Sequence, residues 1–162
     1  MKSLFLIALA CTFLFSSCAK KEVTNPREKT YYLHRANLNP VSGKAVFTEI
    51  FPGKLQVSIS LVNTSPNITH PAHLHFGSVR EVGELAFALN PVDGKTGKSV
   101  TILDQVPLSS GDILSYELLN EMNGSVKIHM NDTFFSHMVL AFGNIGKNED
   151  YFFDGVAVCT GH

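Results

Sequence analysis

Leu55, Val57, Ile59 and Leu61 alternate with Gln56, Ser58 and Ser60. Successive side chains of a strand point to opposite faces, so this run sets four branched aliphatics on one side and polar residues on the other. The pattern is that of a half-buried antiparallel strand. The same grammar recurs along the chain. Residues 31–38 read as a first strand, ended by Asn39-Pro40-Val41-Ser42-Gly43. Residues 44–50 alternate and stop at the turn Phe51-Pro52-Gly53. Residues 85–89 and 99–103 form a hairpin across the turn-rich stretch from Asn90 to Gly97. Residues 125–130, 138–142 and 151–159 read as the last strands. One stretch, residues 109–123, has helical character and reads as a short helix or an irregular crossover: Leu114, Leu118 and Met122 recur every four residues, Ser110 or Asp112 offers a cap, and Gly124 offers an end. Many short strands with frequent turns predict an all-β antiparallel sandwich or barrel with at most one short helix.

A chain of 162 residues, 44% hydrophobic and 17% charged, has the composition of one globular domain with a single core. The formal net charge is −1, and no Lys/Arg cluster lies beyond the N-terminus. Nucleic-acid binding is therefore not expected. Met1-Lys2 followed by an apolar run from Leu4 to Phe15 reads as a signal peptide, too short to span a bilayer. It ends in Phe15-Ser16-Ser17-Cys18, which resembles a bacterial lipobox, with Phe15 where Leu is usual. On that reading residues 1–17 are removed and Cys18 is lipidated. Residues 18–30 are then a polar tether, and residues 31–162 are the folded domain. The chain would sit in the bacterial cell envelope, lipid-anchored on the periplasmic side or the surface of the outer membrane. The alternative is an ordinary cleaved signal that leaves Cys18 as a thiol. Cys11 leaves with the signal, so Cys159 remains without a disulfide partner, and its apolar neighbours make it a small buried hydrophobe.

The chemistry concentrates in His70-Pro71-Ala72-His73-Leu74-His75-Phe76-Gly77, which holds three of the chain's seven histidines. As a strand, it directs His73 and His75 to one face, and two imidazoles so spaced can share a metal ion if a third ligand comes from elsewhere. His129, on a second predicted strand, is the candidate third ligand. Imidazole suits copper, zinc and other late first-row metals alike. His129-Met130 and His137-Met138 are two His-Met pairs; adjacent strand residues face opposite ways, which assigns the methionines to the core. His34, His137 and His162 read as surface residues.

The order of these motifs resembles the copper/zinc superoxide dismutase superfamily, a Greek-key β-sandwich. The histidine stretch is similar to its His-x-x-His-x-His signature, with one residue fewer before Gly77. Leu108-Ser109-Ser110-Gly111-Asp112 resembles its Leu-Ser-Gly-Asp run, and Val126-Lys127-Ile128-His129 its Val-x-Val-His strand. Val41-Ser42-Gly43-Lys44-Ala45-Val46-Phe47 is similar to its early hairpin, and Cys159 stands at its late cysteine. The resemblance implies one copper ion held by His73, His75 and His129, with His70 orienting a ligand by a hydrogen bond. The family's long loop, with its bridging and zinc-ligating histidines, has no counterpart. Val82-Gly83-Glu84-Leu85 leaves only Glu84 where a zinc carboxylate would stand, so a zinc site is not expected. The partner of the late cysteine is missing, and Val156 stands where the family has an arginine. Ala72-His73-Leu74-His75-Phe76-Gly77 also resembles the signature of chordin-type repeat domains. Three readings follow: a copper-binding or copper-handling envelope lipoprotein that exchanges copper with a donor or acceptor protein, a copper-only dismutase acting on superoxide, or a partner-binding envelope-assembly module.

Overall fold

The computed structural model describes residues 25–36, 38–133 and 136–148. The signal segment with Cys11, the lipidation cysteine Cys18, the final predicted strand with Val156 and Cys159, and His162 lie outside the described residues.

Eight strands and one helix follow one another: β1 (Glu28–Arg35), β2 (Ser42–Phe51), β3 (Lys54–Val62), β4 (Thr69–Phe76), β5 (Leu85–Asp93), β6 (Lys98–Asp104), α1 (Tyr116–Glu121), β7 (Asn123–His129) and β8 (Val139–Gly146). All pairings are antiparallel, and the strands close into a barrel in the order β1-β2-β3-β6-β5-β4-β7-β8, with β8 meeting β1. Every described strand thus has a partner on each side, although β5 and β6 meet at a single pair, Asp93 and Lys98.

The alternation that opened the sequence reading decides which face of β3 is inside. Leu55, Val57, Ile59 and Leu61 are all buried. Ala45 and Phe47 of β2, Tyr31 and Leu33 of β1, Ala72 and Leu74 of β4, Leu103 of β6, and Val126 and Ile128 of β7 join them in one core. Each of the larger aliphatic or aromatic side chains, the alanines apart, contributes about 1.5–3 kcal/mol on leaving water. The predicted turn at Pro52-Gly53 joins β2 to β3, with Gly53 in the left-handed region at φ 73°.

Three local expectations shift. The first strand starts and ends three residues earlier than predicted: residues 28–30 already pair with β2, and Arg27 bridges Glu49 and Glu117 at 2.7 and 2.6 Å. The predicted turn after residue 89 begins late, because residues 90–93 continue β5. Pro91, which has no N–H to donate, is accommodated where the β4–β5 register slips between His70 and Ala72. The helix is a single short one. Ser115 caps it by accepting from the Leu118 N–H at 3.1 Å, while residues 107–113 form a turn closed by a Pro107–Ile113 bridge. Neither Ser110 nor Asp112 is the cap. Gly124 does not end the helix: it lies within β7, where an added Cβ would meet the Met122 methyl at 2.8 Å and Ile145 at 3.1 Å.

Two crossovers place the site. Residues 63–68 carry the chain from β3 to β4, which are not neighbours, and are tied to the β5–β6 turn by Thr64 Oγ1 donating to the Gly94 carbonyl at 2.8 Å. The segment holding α1 then carries the chain from β6 across to β7, which pairs with β4 on one side and β8 on the other.

Candidate metal centre

Inside the barrel, β4 presents Ala72 and Leu74; the period of two therefore turns His73 and His75 outward. β7 runs antiparallel beside it with His73 opposite Lys127 and His75 opposite Ser125, so Val126 and Ile128 face the core while Lys127 and His129 face outward. His129, two residues beyond Lys127, becomes the diagonal neighbour of His73. Ring centroids lie 4.7 Å apart for His73 and His129, 5.8 Å for His73 and His75, and 6.3 Å for His75 and His129. One nitrogen from each ring falls within 4.8 Å of the other two.

The outward face is not a wet one. His75 and His129 are 0% and 2% exposed. Residues 77–84 fold over it, and Val79 joins Ala36, Val139 and Phe142 in a second small apolar cluster outside the barrel. The Val79 N–H donates to buried Asn144 Oδ1 at 2.8 Å, anchoring that loop to β8.

Backbone carbonyls set the ring orientations. The Gly83 carbonyl lies 3.2 Å from His75 Nδ1, and the Ser136 carbonyl 2.7 Å from His129 Nδ1. A carbonyl only accepts, so both Nδ1 atoms carry a proton, and in the neutral ring each Nε2 then keeps a lone pair for a metal. Those two Nε2 atoms and His73 Nδ1 are buried and make no hydrogen bond among the described residues. A carbonyl partner on the far ring nitrogen is the usual way a protein fixes a metal-binding imidazole. Gly83 is required to present its carbonyl: its φ is +60°, and an added Cβ would stand 2.1 Å from the Phe76 carbonyl oxygen.

The donor set fits a transition-metal ion. Imidazole–metal bonds of about 2.0–2.1 Å put two ligands of one ion at most ~4.2 Å apart, so small ring movements close the site. The charge state also fits. Burial lowers the His75 pKa from 6.5 to about 4, opposed by the Gly83 hydrogen bond and reinforced by the positive potential of Lys127 and the neighbouring histidines. His75 is therefore neutral, as a ligand must be.

The structure thus brings together His73, His75 and His129, and it disperses other residues that sequence reasoning weighed. His70 is buried, but its Nδ1 meets the Met130 carbonyl at 2.8 Å; it supports the backbone next to His129 and not a ligand ring. Glu84 is exposed and lines an open cleft with Glu81 and Ser109. Met130 packs against the core as expected, whereas Met138 is 40% exposed and does not. His34 and His137 are exposed.

Sequence reasoning overlooked Lys127, which is wholly buried and donates from Nζ to the Glu81 and Val82 carbonyls at 3.0 and 3.2 Å. A signal was present: a lysine between two core aliphatics, two residues before His129, shares that histidine's face. The Gly83 and Ser136 carbonyls carried no such signal, since any residue has one. Comparison of the chain with models of protein families, with curated proteins and with solved structures finds no match.

Proposed function

We propose that this protein binds one copper ion through His73, His75 and His129 and handles copper in the cell envelope, held there by a lipid on Cys18. The observation that carries the metal reading is the convergence of three imidazole nitrogens, within 4.8 Å, from two neighbouring strands. Copper comes from the resemblance to copper/zinc superoxide dismutases, in which three of the copper ligands match these positions. The strand order supports that resemblance: β4, β5 and β6 follow in sequence, and β7 returns beside β4, which is Greek-key connectivity. Two Nε2 donors and one Nδ1 donor would hold the ion and leave a position open, and a bound copper ion would supply one-electron chemistry or a transferable cargo. His75 and His129 would be held in register by the Gly83 and Ser136 carbonyls.

The test is metal retention. The purified protein is loaded with copper, freed of excess and assayed for metal. About one copper per chain is expected, lost in His129→Ala and in His73→Ala. A wild-type protein that retains no metal overturns the reading and leaves the partner-binding module. Rapid superoxide turnover that disappears in His129→Ala would move the assignment from copper handling to a copper-only dismutase.

A further inference from the structure

We propose that Lys127 is a positioning residue of the metal centre, its ammonium holding the Glu81 and Val82 carbonyls so that the next carbonyl, that of Gly83, fixes the His75 ring. The proposal rests on the metal reading of the same site and adds a residue outside the ligand set.

The chain of contacts is short. Lys127 stands on β7 directly opposite His73 and is 0% exposed. Nζ reaches 3.0 Å from the Glu81 oxygen and 3.2 Å from the Val82 oxygen. One residue on, the Gly83 oxygen takes the His75 Nδ1 proton at 3.2 Å. A buried ammonium costs several kcal/mol in lost hydration, so a lysine here is a demanding choice where an aliphatic would pack. What the ammonium supplies, and an aliphatic does not, is a donor to two consecutive carbonyls of the covering loop. Further ties of this loop act at other atoms. Val79 is bound to Asn144, Glu81 N–H donates to the Ser78 carbonyl at 2.9 Å, and Phe76 N–H donates to the Glu84 carbonyl at 3.0 Å. None of these contacts fixes the direction of the peptide planes at 81–82 as the lysine does. His129 is held by a different loop, through Ser136. It serves as an internal control.

The experiment compares wild type with Lys127→Met, which keeps the aliphatic stem, and Lys127→Gln, which returns one donor. Long-range proton–nitrogen NMR correlations of the imidazoles report each tautomer in metal-free protein. Wild-type His75 is expected as the Nδ1–H tautomer. In Lys127→Met, His75 becomes a mixture of tautomers, amide exchange at residues 81–84 rises at least tenfold, and His129 is unchanged. Copper affinity falls about 10- to 100-fold, the range for loss of a residue that supports a metal ligand. Lys127→Gln recovers part of each effect, and it carries the same readouts if Lys127→Met does not fold. A His75 tautomer and loop exchange identical to wild type in the variant would overturn the proposal. Because the tautomer is read without metal, a wild type that binds no copper while the variant still scrambles His75 overturns the copper reading alone.

Discussion

The outer faces of β6 and β7 show what a barrel wall becomes when it is covered. On β6, burial alternates strictly: Ser99, Thr101 and Leu103 are inside, and Lys98, Val100, Ile102 and Asp104 are outside and wet. On β7, the sequence alternates in the same way, with Val126 and Ile128 inside and Ser125, Lys127 and His129 outside, yet every residue after Asn123 is buried. The difference lies in what packs over them. Residues 77–84 and the Ala36, Val79, Val139, Phe142 cluster roof the β4–β7–β8 side. On that side a polar outward residue leaves water, which costs free energy unless a carbonyl, a neighbour or a ligand compensates. A close-set group of three imidazoles is the outcome.

The largest expected effect probes the shared inner layer. Leu74→Ala removes a fully buried side chain from β4 and should cost about 3 kcal/mol in urea unfolding. Val79→Ala weakens the roof and not the barrel: about 2 kcal/mol of stability goes. Affinity for a metal ion at the three histidines should fall about tenfold with it, because the Gly83 carbonyl that orients His75 rides on that loop. If affinity holds while stability drops, the roof does not orient the site.

Acid should distinguish the two faces next. His75 titrates near 4 in the folded protein and near 6.5 when ordinary. Between those values the unfolded chain binds the extra proton, so metal-free stability is complete above about pH 6.5 and declines as pH falls toward about 4. The loss is on the order of 1–2 kcal/mol after allowance for solvent screening. His75→Gln should flatten that limb, and urea titrations at pH 7, 5.5 and 4 measure it. Smallest of all is the pair Ser125→Ala and Ser60→Ala. The Ser125 hydroxyl is buried without a hydrogen bond among the described residues, so its removal should stabilise by up to about 1 kcal/mol. Ser60, half-buried on the outer face of β3, should change stability by less than about 0.5 kcal/mol. Equal effects at the two serines would erase the distinction between the faces.

Much of the wall was legible beforehand, because a period of two is written locally. The β3 alternation, the β2–β3 turn and the common face of His73 and His75 each follow from a few consecutive residues. The one short helix was expected, but its bounds were not legible, for the opposite reason. Leu114 and Met122 are both buried, but a turn closed between Pro107 and Ile113 takes up the first half of the stretch, and β7 begins at Asn123. Apolar spacing does not distinguish a helix from a turn and a strand that bury the same residues.

The amino-acid sequence by itself determined that strands form, which side of each is apolar, and that two histidines of one strand share a face. Tertiary structure alone decided that β7 lies against β4, that His129 thereby arrives diagonal to His73, and that Lys127 is sealed from water with its charge on two carbonyls. The reason is physical: side-chain alternation is a property of neighbouring residues, whereas strand order and roofing come from pairings between residues far apart in the chain, such as His73 with Lys127 and His34 with Phe142, whose net free energy no short stretch of chain contains.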